Sequence, residues 1–179
     1  QAGGGRVVIG GDLLGKAIDV AAITLANATY VGQNARINIS SAQGDGGFVE
    51  TSGKTLTMFG QVNGVAAGKG GQWLIDPANI TINASASTAT NTSNTWNSVD
   101  PMAVVNNASI ESALSSGTSV TVTTAGAGTG TGTLTVESNI NKTGGGGATL
   151  TLAADSNLTL NNGVRIGSSV GLLNLNITA

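Results

Sequence analysis

Residues 46–82, GGFVETSGKTLTMFGQVNGVAAGKGGQWLIDPANITI, decide the fold. The stretch packs long apolar alternations, a tryptophan, one of the two prolines and a row of glycine turns into 37 residues. Alternation with period two puts successive side chains on opposite faces of an extended strand. Glycine between such runs turns the chain tightly. The stretch therefore reads as consecutive short strands joined by close corners, and no reactive constellation of side chains interrupts them.

Composition agrees with that reading. The chain has 179 residues, 40% of them apolar but only 3% aromatic and 9% charged, with 28 glycines. A typical domain is about a quarter charged. Abundant Asn, Thr, Ser and Ala suit strands and turns, whereas the Glu, Lys and Gln that fill exposed helix faces are scarce. Disorder needs low hydrophobicity together with high net charge, and here the net charge is −2. The seven basic residues, Arg6, Lys16, Arg36, Lys54, Lys69, Lys142 and Arg165, stand singly, so no basic patch is available to nucleic acid. No apolar run is long enough for a spanning helix, and Gln1-Ala2-Gly3 does not open a signal peptide, so a processed or excised piece is expected.

Cysteine and histidine are both absent. That inventory removes disulfides, thiolate nucleophiles, the Ser-His-Asp arrangement and the usual zinc ligands. No catalytic, cofactor-binding or metal-binding residue is assigned.

Working outward from the central stretch, GGGRVVIGG at 3–11 reads as one strand between glycine turns. DLLGKAIDVA at 12–21 could form a weak helix, but Gly15 favours a loop. ITLANATYV at 23–31 and ARINIS at 35–40 resume the alternation, with Ile37 and Ile39 on one side and Arg36 and Asn38 on the other. Beyond residue 82 an irregular excursion, placed at 84–118, is dense in Asn, Ser and Thr, which bond their own backbone in turns. It ends in a short helix expected near 109–116, with Ser109 as N-cap, Glu111 in the first turn and Gly117 as stop. Strands then follow from 119, 133, 149 and 171.

In that last part Leu134 and Leu150 are 16 residues apart and Leu150 and Leu173 are 23 apart. A repeat near 20 residues marks a solenoid whose coils stack around one continuous core. Antiparallel sandwiches produce a similar rhythm, but small polar outward positions, Gly and Asn corners and the lack of aromatics favour stacking. The expected fold is all-β, a parallel β-helix forming one unit over residues 1–179. About nine rungs spaced roughly 4.8 Å apart would make a rod of roughly 40 Å. Asn79, Asn83, Asn139, Asn157, Asn161 and Asn176 flank strands and are expected to stack amide on amide as ladders.

GGFVETSGKTL, GGQWLIDPANITI and SALSSGTSVTVTT carry a resemblance to the large two-partner-secretion exoproteins of Gram-negative bacteria, the filamentous-haemagglutinin and high-molecular-weight adhesin group. Gly46, Gly47, Val49, Glu50, Ser52 and Gly53 match that family's Gly-Gly-x-Val-Glu-x-Ser-Gly element. Trp73, Leu74, Asp76 and Pro77 match its Trp-Leu-x-Asp-Pro element. The resemblance implies a right-handed parallel β-helix, exported through an outer-membrane pore transporter to the cell surface or medium as part of a longer monomeric rod. It implies adhesion to host cells, surfaces or other bacteria, with a surface receptor or glycan as partner. The family also contains stalks for contact-dependent toxin delivery and haemopexin-binding exoproteins. The Asn-Pro-Asn-Gly and Asn-Pro-x-Gly motifs of its secretion domain are missing, so no secretion-recognition role is carried over.

Candidate sites follow from these elements. Trp73, Asp76 and Pro77 are expected to be structural, the tryptophan in the core, the aspartate capping a turn and the proline ending a coil; cation or partner binding at Asp76 is the competing reading. The excursion is the place for recognition on a rigid scaffold, with Asn94, Trp96, Asn97 and Asp100 as possible ligand contacts. Nine Asn-x-Ser/Thr sequons, at Asn27, Asn38, Asn79, Asn83, Asn91, Asn107, Asn141, Asn157 and Asn176, are either glycosylation acceptors or a by-product of outward Asn and Thr alternating with inward Ile or Leu. GAGTGTG at 126–132 lacks the lysine and helix of a phosphate loop, and only Gly44-Asp45-Gly46-Gly47 approaches a calcium-binding glycine turn. Two further functions stay in view. A polysaccharide-active enzyme would need clustered carboxylates, and the nine acids are scattered. An ice-binding solenoid would need the Thr-x-Thr pairs at 55, 121, 133 and 149 at constant spacing, and their spacing is uneven.

Overall fold

A computed structural model describes residues 3–11, 25–85, 103–125 and 130–179. The chain is an all-β solenoid of about five turns, with every strand pair parallel and one short helix built into the stack. Three faces recur in chain order. The first turn comprises β1 (Arg6–Ile9), β2 (Ala28–Val31) and β3 (Arg36–Asn38), and the second β4 (Phe48–Ser52), β5 (Thr55–Met58) and β6 (Gln61–Asn63). The third holds β7 (Gln72–Asp76), β8 (Ile80–Asn83), β9 (Ala103–Asn106) and α1 (Asn107–Ser115). Then come β10 (Ser119–Thr123), β11 (Thr133–Val136) and β12 (Ile140–Lys142), followed by β13 (Ala148–Ala153), β14 (Asn157–Leu160) and β15 (Ile166–Ser168). β16 (Leu173–Thr178) opens a sixth layer.

The first face stacks β1-β4-β7-β10-β13-β16 in sequence order. Its inward positions form continuous columns, Val7-Val49-Trp73-Val120-Leu150-Leu175 and Ile9-Thr51-Ile75-Val122-Leu152-Ile177. Each of these side chains packs on the equivalent one in the next coil, which is why a thin coil with few aromatics still has a dry core. Trp73 sits inside the core, and its indole N–H donates to Thr51 Oγ1 at 3.0 Å. A threonine in an otherwise aliphatic column thus satisfies the one polar atom that the tryptophan brings inside. On the same strands Glu50, Leu74 and Asp76 occupy the opposite parity and are nonetheless buried.

The second face is not in sequence order. It runs β2-β5-β9-β8-β11-β14, so β9 is inserted between β5 and β8. Its inward column Val31-Met58-Val105-Ile82-Val136-Leu160 continues through the insertion without a break. The third face pairs β3 with β6 and β12 with β15, and α1 packs between these pairs against β6 and β12.

Several expectations change. About five turns replace nine, because one turn takes from 24 residues (Phe48 to Gln72) to 47 (Gln72 to Ser119) and contains three short strands with their corners. Leu134 and Leu150, read as equivalent, lie on different faces: Leu134 pairs with Ile80 and Leu158, and Leu150 with Val120 and Leu175. Leu173 pairs with Ala148 instead. The last third of the excursion belongs to the coil stack, as strand β9 and helix α1. The helix begins two residues earlier than expected, and its N-cap is Asn106, whose side chain accepts from Ala108 N; Ser109 is buried within the helix and Glu111 falls beyond the first turn. The loop expected at 12–21 lies outside the described residues.

Glycine governs the corner that leads back to the first face. There the backbones of successive coils nearly touch: a Cβ on Gly47 would sit 2.0 Å from Gly5 O, and one on Gly70 would sit 1.9 Å from Gly117 O. Asp45, in the turn compared with a calcium site, accepts from Lys69 N through Oδ1 at 2.8 Å, so it ties one corner to the next. The asparagines do similar work in place of amide ladders. Asn79 Oδ1 accepts from Thr133 N at 3.0 Å, and Asn139 Oδ1 from Arg165 N at 2.8 Å, each linking a corner to the following coil. Asn38, Asn63, Asn83 and Asn106 instead accept from the backbone N–H two residues on, a repeated Asx turn that closes each strand.

Candidate functional site

The irregular turn creates a recess. β9 ends at Asn106 and passes directly into α1, whereas β8 ends at Asn83 and is followed by Ala84 and Ser85 with no helix. A helix is roughly 10 Å across, about two strand spacings. The second face therefore carries two strands, β9 and β8, where the third face carries only α1. At the corner between these faces a groove of about 440 Å³ opens. Ala84, Asn107, Glu137, Ser138, Asn139 and Asn162 line it, drawn from the ends of β8, β11 and β14 and the start of α1.

Its walls are pinned by bonds between coils. Glu137 N donates to Ile82 O at 2.9 Å and Asn161 N to Val136 O at 2.9 Å. Asn107 Nδ2 donates to Asn139 O at 2.8 Å, and Glu111 Oε1 accepts from Asn141 N at 2.8 Å. Asn83 Nδ2 reaches Glu137 Oε2 at 3.4 Å, a long bond that leaves the other carboxylate oxygen uncommitted. Among the described residues Glu137 is the one ionisable side chain lining the groove, and around it stand a hydroxyl and three amides. Such a surface can bind hydroxyl or ammonium groups by hydrogen bonds. A single carboxylate is not the paired acid and base of glycoside hydrolysis, and among the described residues no three carboxylates gather as a metal site would require.

The residues singled out from the sequence fall elsewhere. Trp73 is core. Asp76 and Pro77 are buried where β7 turns toward β8, on a different corner from the groove. At that turn Asn79 forms the link to the next coil, taking bonds from Thr131 Oγ1 and Thr133 Oγ1 as well as Thr133 N. Asn79 is only 8% exposed, which disfavours a glycan on that sequon in the folded chain. Asn94, Trp96, Asn97 and Asp100 lie outside the described residues. Glu137, Asn107, Asn139 and Asn162 were not foreseen as a group. The signal for them is an Asn-rich break at the ends of three second-face strands, β9, β11 and β14, with NNAS at 106, ESN at 137 and NNG at 161, obscured by unequal spacing.

By fold the chain belongs with the parallel β-solenoids. No protein-family model matches it and no curated protein matches it.

Proposed function

We propose that the chain is a structural and adhesive length of a secreted bacterial surface exoprotein of the filamentous-haemagglutinin-like, two-partner-secretion kind. In this reading it is exported by an outer-membrane pore transporter, folds outside the cell, serves attachment to host cells, surfaces or other bacteria, and catalyses nothing. The observation that carries the reading is the form of the coil stack. Continuous columns of mostly aliphatic side chains run unbroken from turn to turn on the first and second faces, the construction of a stacked-coil rod. The membrane is touched only by the transporter, in keeping with the lack of any helix long and apolar enough to cross it among the described residues.

Display on a non-adherent bacterium, behind a secretion domain and its transporter, tests the adhesive role. The displayed chain is expected to raise attachment to epithelial cells or to promote clumping. Replacing residues 86–102 by a short Gly-Ser linker is expected to reduce that gain while preserving the circular dichroism spectrum, because β9 and α1 remain in the stack. Surface display without any gain in attachment would overturn the adhesive role and favour a stalk for toxin delivery or haemopexin capture.

A further inference from the structure

We propose that the groove at the corner of the second and third faces binds a neutral or amino sugar and discriminates against acidic ones. This deepens the adhesive reading by naming its ligand class. At about 440 Å³ the groove falls within the size range of small-molecule sites. Its chemistry fits a pyranose. A carboxylate oxygen and side-chain amides accept from and donate to adjacent hydroxyls, and here Glu137 Oε1, Ser138 Oγ, Asn139 Nδ2 and the Asn162 amide have no hydrogen bond among the described residues. Ala84 and Val164 supply small apolar patches for the C–H face of a ring. The groove is also pre-formed, since its three corners are bonded coil to coil, so a ligand does not have to order them.

Charge sets the specificity. Among the described residues Glu137 is the sole ionisable group lining the site, so a uronate or other acidic sugar meets a like charge, whereas a protonated amino group meets an acceptor. Among the described residues no aromatic platform lines the groove, so binding is expected in the millimolar range for a monosaccharide and gains strength only through repeated presentation.

The test uses the purified chain in solution, where failure of the sugar site and failure of surface attachment are separate results. Saturation-transfer NMR titrations are run with methyl glucoside, glucosamine and glucuronate. Glucosamine is expected to bind about tenfold more tightly than methyl glucoside, the worth of one charge-assisted hydrogen bond, and glucuronate more weakly than either. Glu137→Gln is expected to bring the three ligands to similar affinity, and Ala84→Trp, at an exposed rim position, to abolish all three signals. Saturation transfer to none of the sugars at millimolar concentration, signals indifferent to Ala84→Trp, or an order of affinity unchanged by Glu137→Gln would each overturn the proposal.

Discussion

Lys142 shows how much a single side chain settles in a thin coil. It lies on the inward side of β12 with Ile140, fully buried, and its ammonium donates to the carbonyls of Gly144, Gly145 (3.3 Å) and Val170 (2.7 Å). An ammonium has three donors, and each finds a carbonyl, two at the corner between the fourth and fifth turns and one at the corner between the fifth turn and the sixth layer. Burial of an unsolvated charge costs several kcal/mol, and these bonds offset it. Lys142→Met keeps the stem and removes the donors. Because the carbonyls sit at a partly exposed corner and can take water, the expected loss is about 1–2 kcal/mol, read from the urea midpoint; an unchanged or raised midpoint would contradict the cage. Two glycines make a sharper pair. Gly70 has φ outside the left-handed region, but its Cβ would overlap Gly117 O, so Gly70→Ala must push two coils apart and is expected to cost about 2 kcal/mol or more. Gly163 has φ +81° with open space around it, so Gly163→Ala meets only backbone strain, about 1 kcal/mol. Thermal melts of the two variants should rank in that order.

At the scale of elements, α1 is held by its ends. Asn106 caps the N-terminus, and the C-terminus closes with Thr118 N on Ala113 O and Gly117 N on Leu114 O, both 3.0 Å, with Gly117 at φ +83°. That is a Schellman closure, and its glycine was legible in the sequence because a left-handed stop demands one. Asn106→Ala is expected to cost about 1 kcal/mol and to loosen the groove wall at Asn107, observable as faster amide exchange over 107–110. The N-cap was harder to see: Asn106, Asn107 and Ser109 all suit the role, and only the end of β9 decides among them. The strands were legible for a similar reason. Alternation placed Ile37 and Ile39 inward and Arg36 and Asn38 outward, as found. Which strand stacks on which was not legible, since alternation is the same on every face. Nothing local marks Leu134 as second-face and Leu150 as first-face, and corners of unequal length hide the period. The insertion of β9 between β5 and β8 lies further still from sequence, because it depends on AVVN at 103–106 pairing with strands on either side rather than on its own pattern. The groove was invisible for that reason: it exists only where two strands stand opposite one helix.

For the whole molecule, the two ends of the rod differ. At the N-terminal end Val7, Ile9 and Ile37 are partly buried against the core. At the other end β14, β15 and β16 are each the last strand of their sheet, and five of the six exposed large aliphatics among the described residues cluster there, Val65 being the sixth. An edge strand with open N–H and C=O groups and an apolar ladder behind it is a template for further pairing. In a solution of the purified 179-residue chain such edges are expected to find one another and give reversible, concentration-dependent association. Leu172 is 63% exposed and Val170 is 50% exposed at the open end, so charges placed there remain solvated while opposing a second edge. Sedimentation velocity of Leu172→Lys/Val170→Lys should therefore show a shift toward monomer with the melting temperature little changed, whereas Val65→Lys, on a turn away from the end, should associate as the parent does. If the parent is monomeric at every concentration, or if Val65→Lys disperses it as well as the paired substitution, the open end is not the surface through which copies of the chain associate.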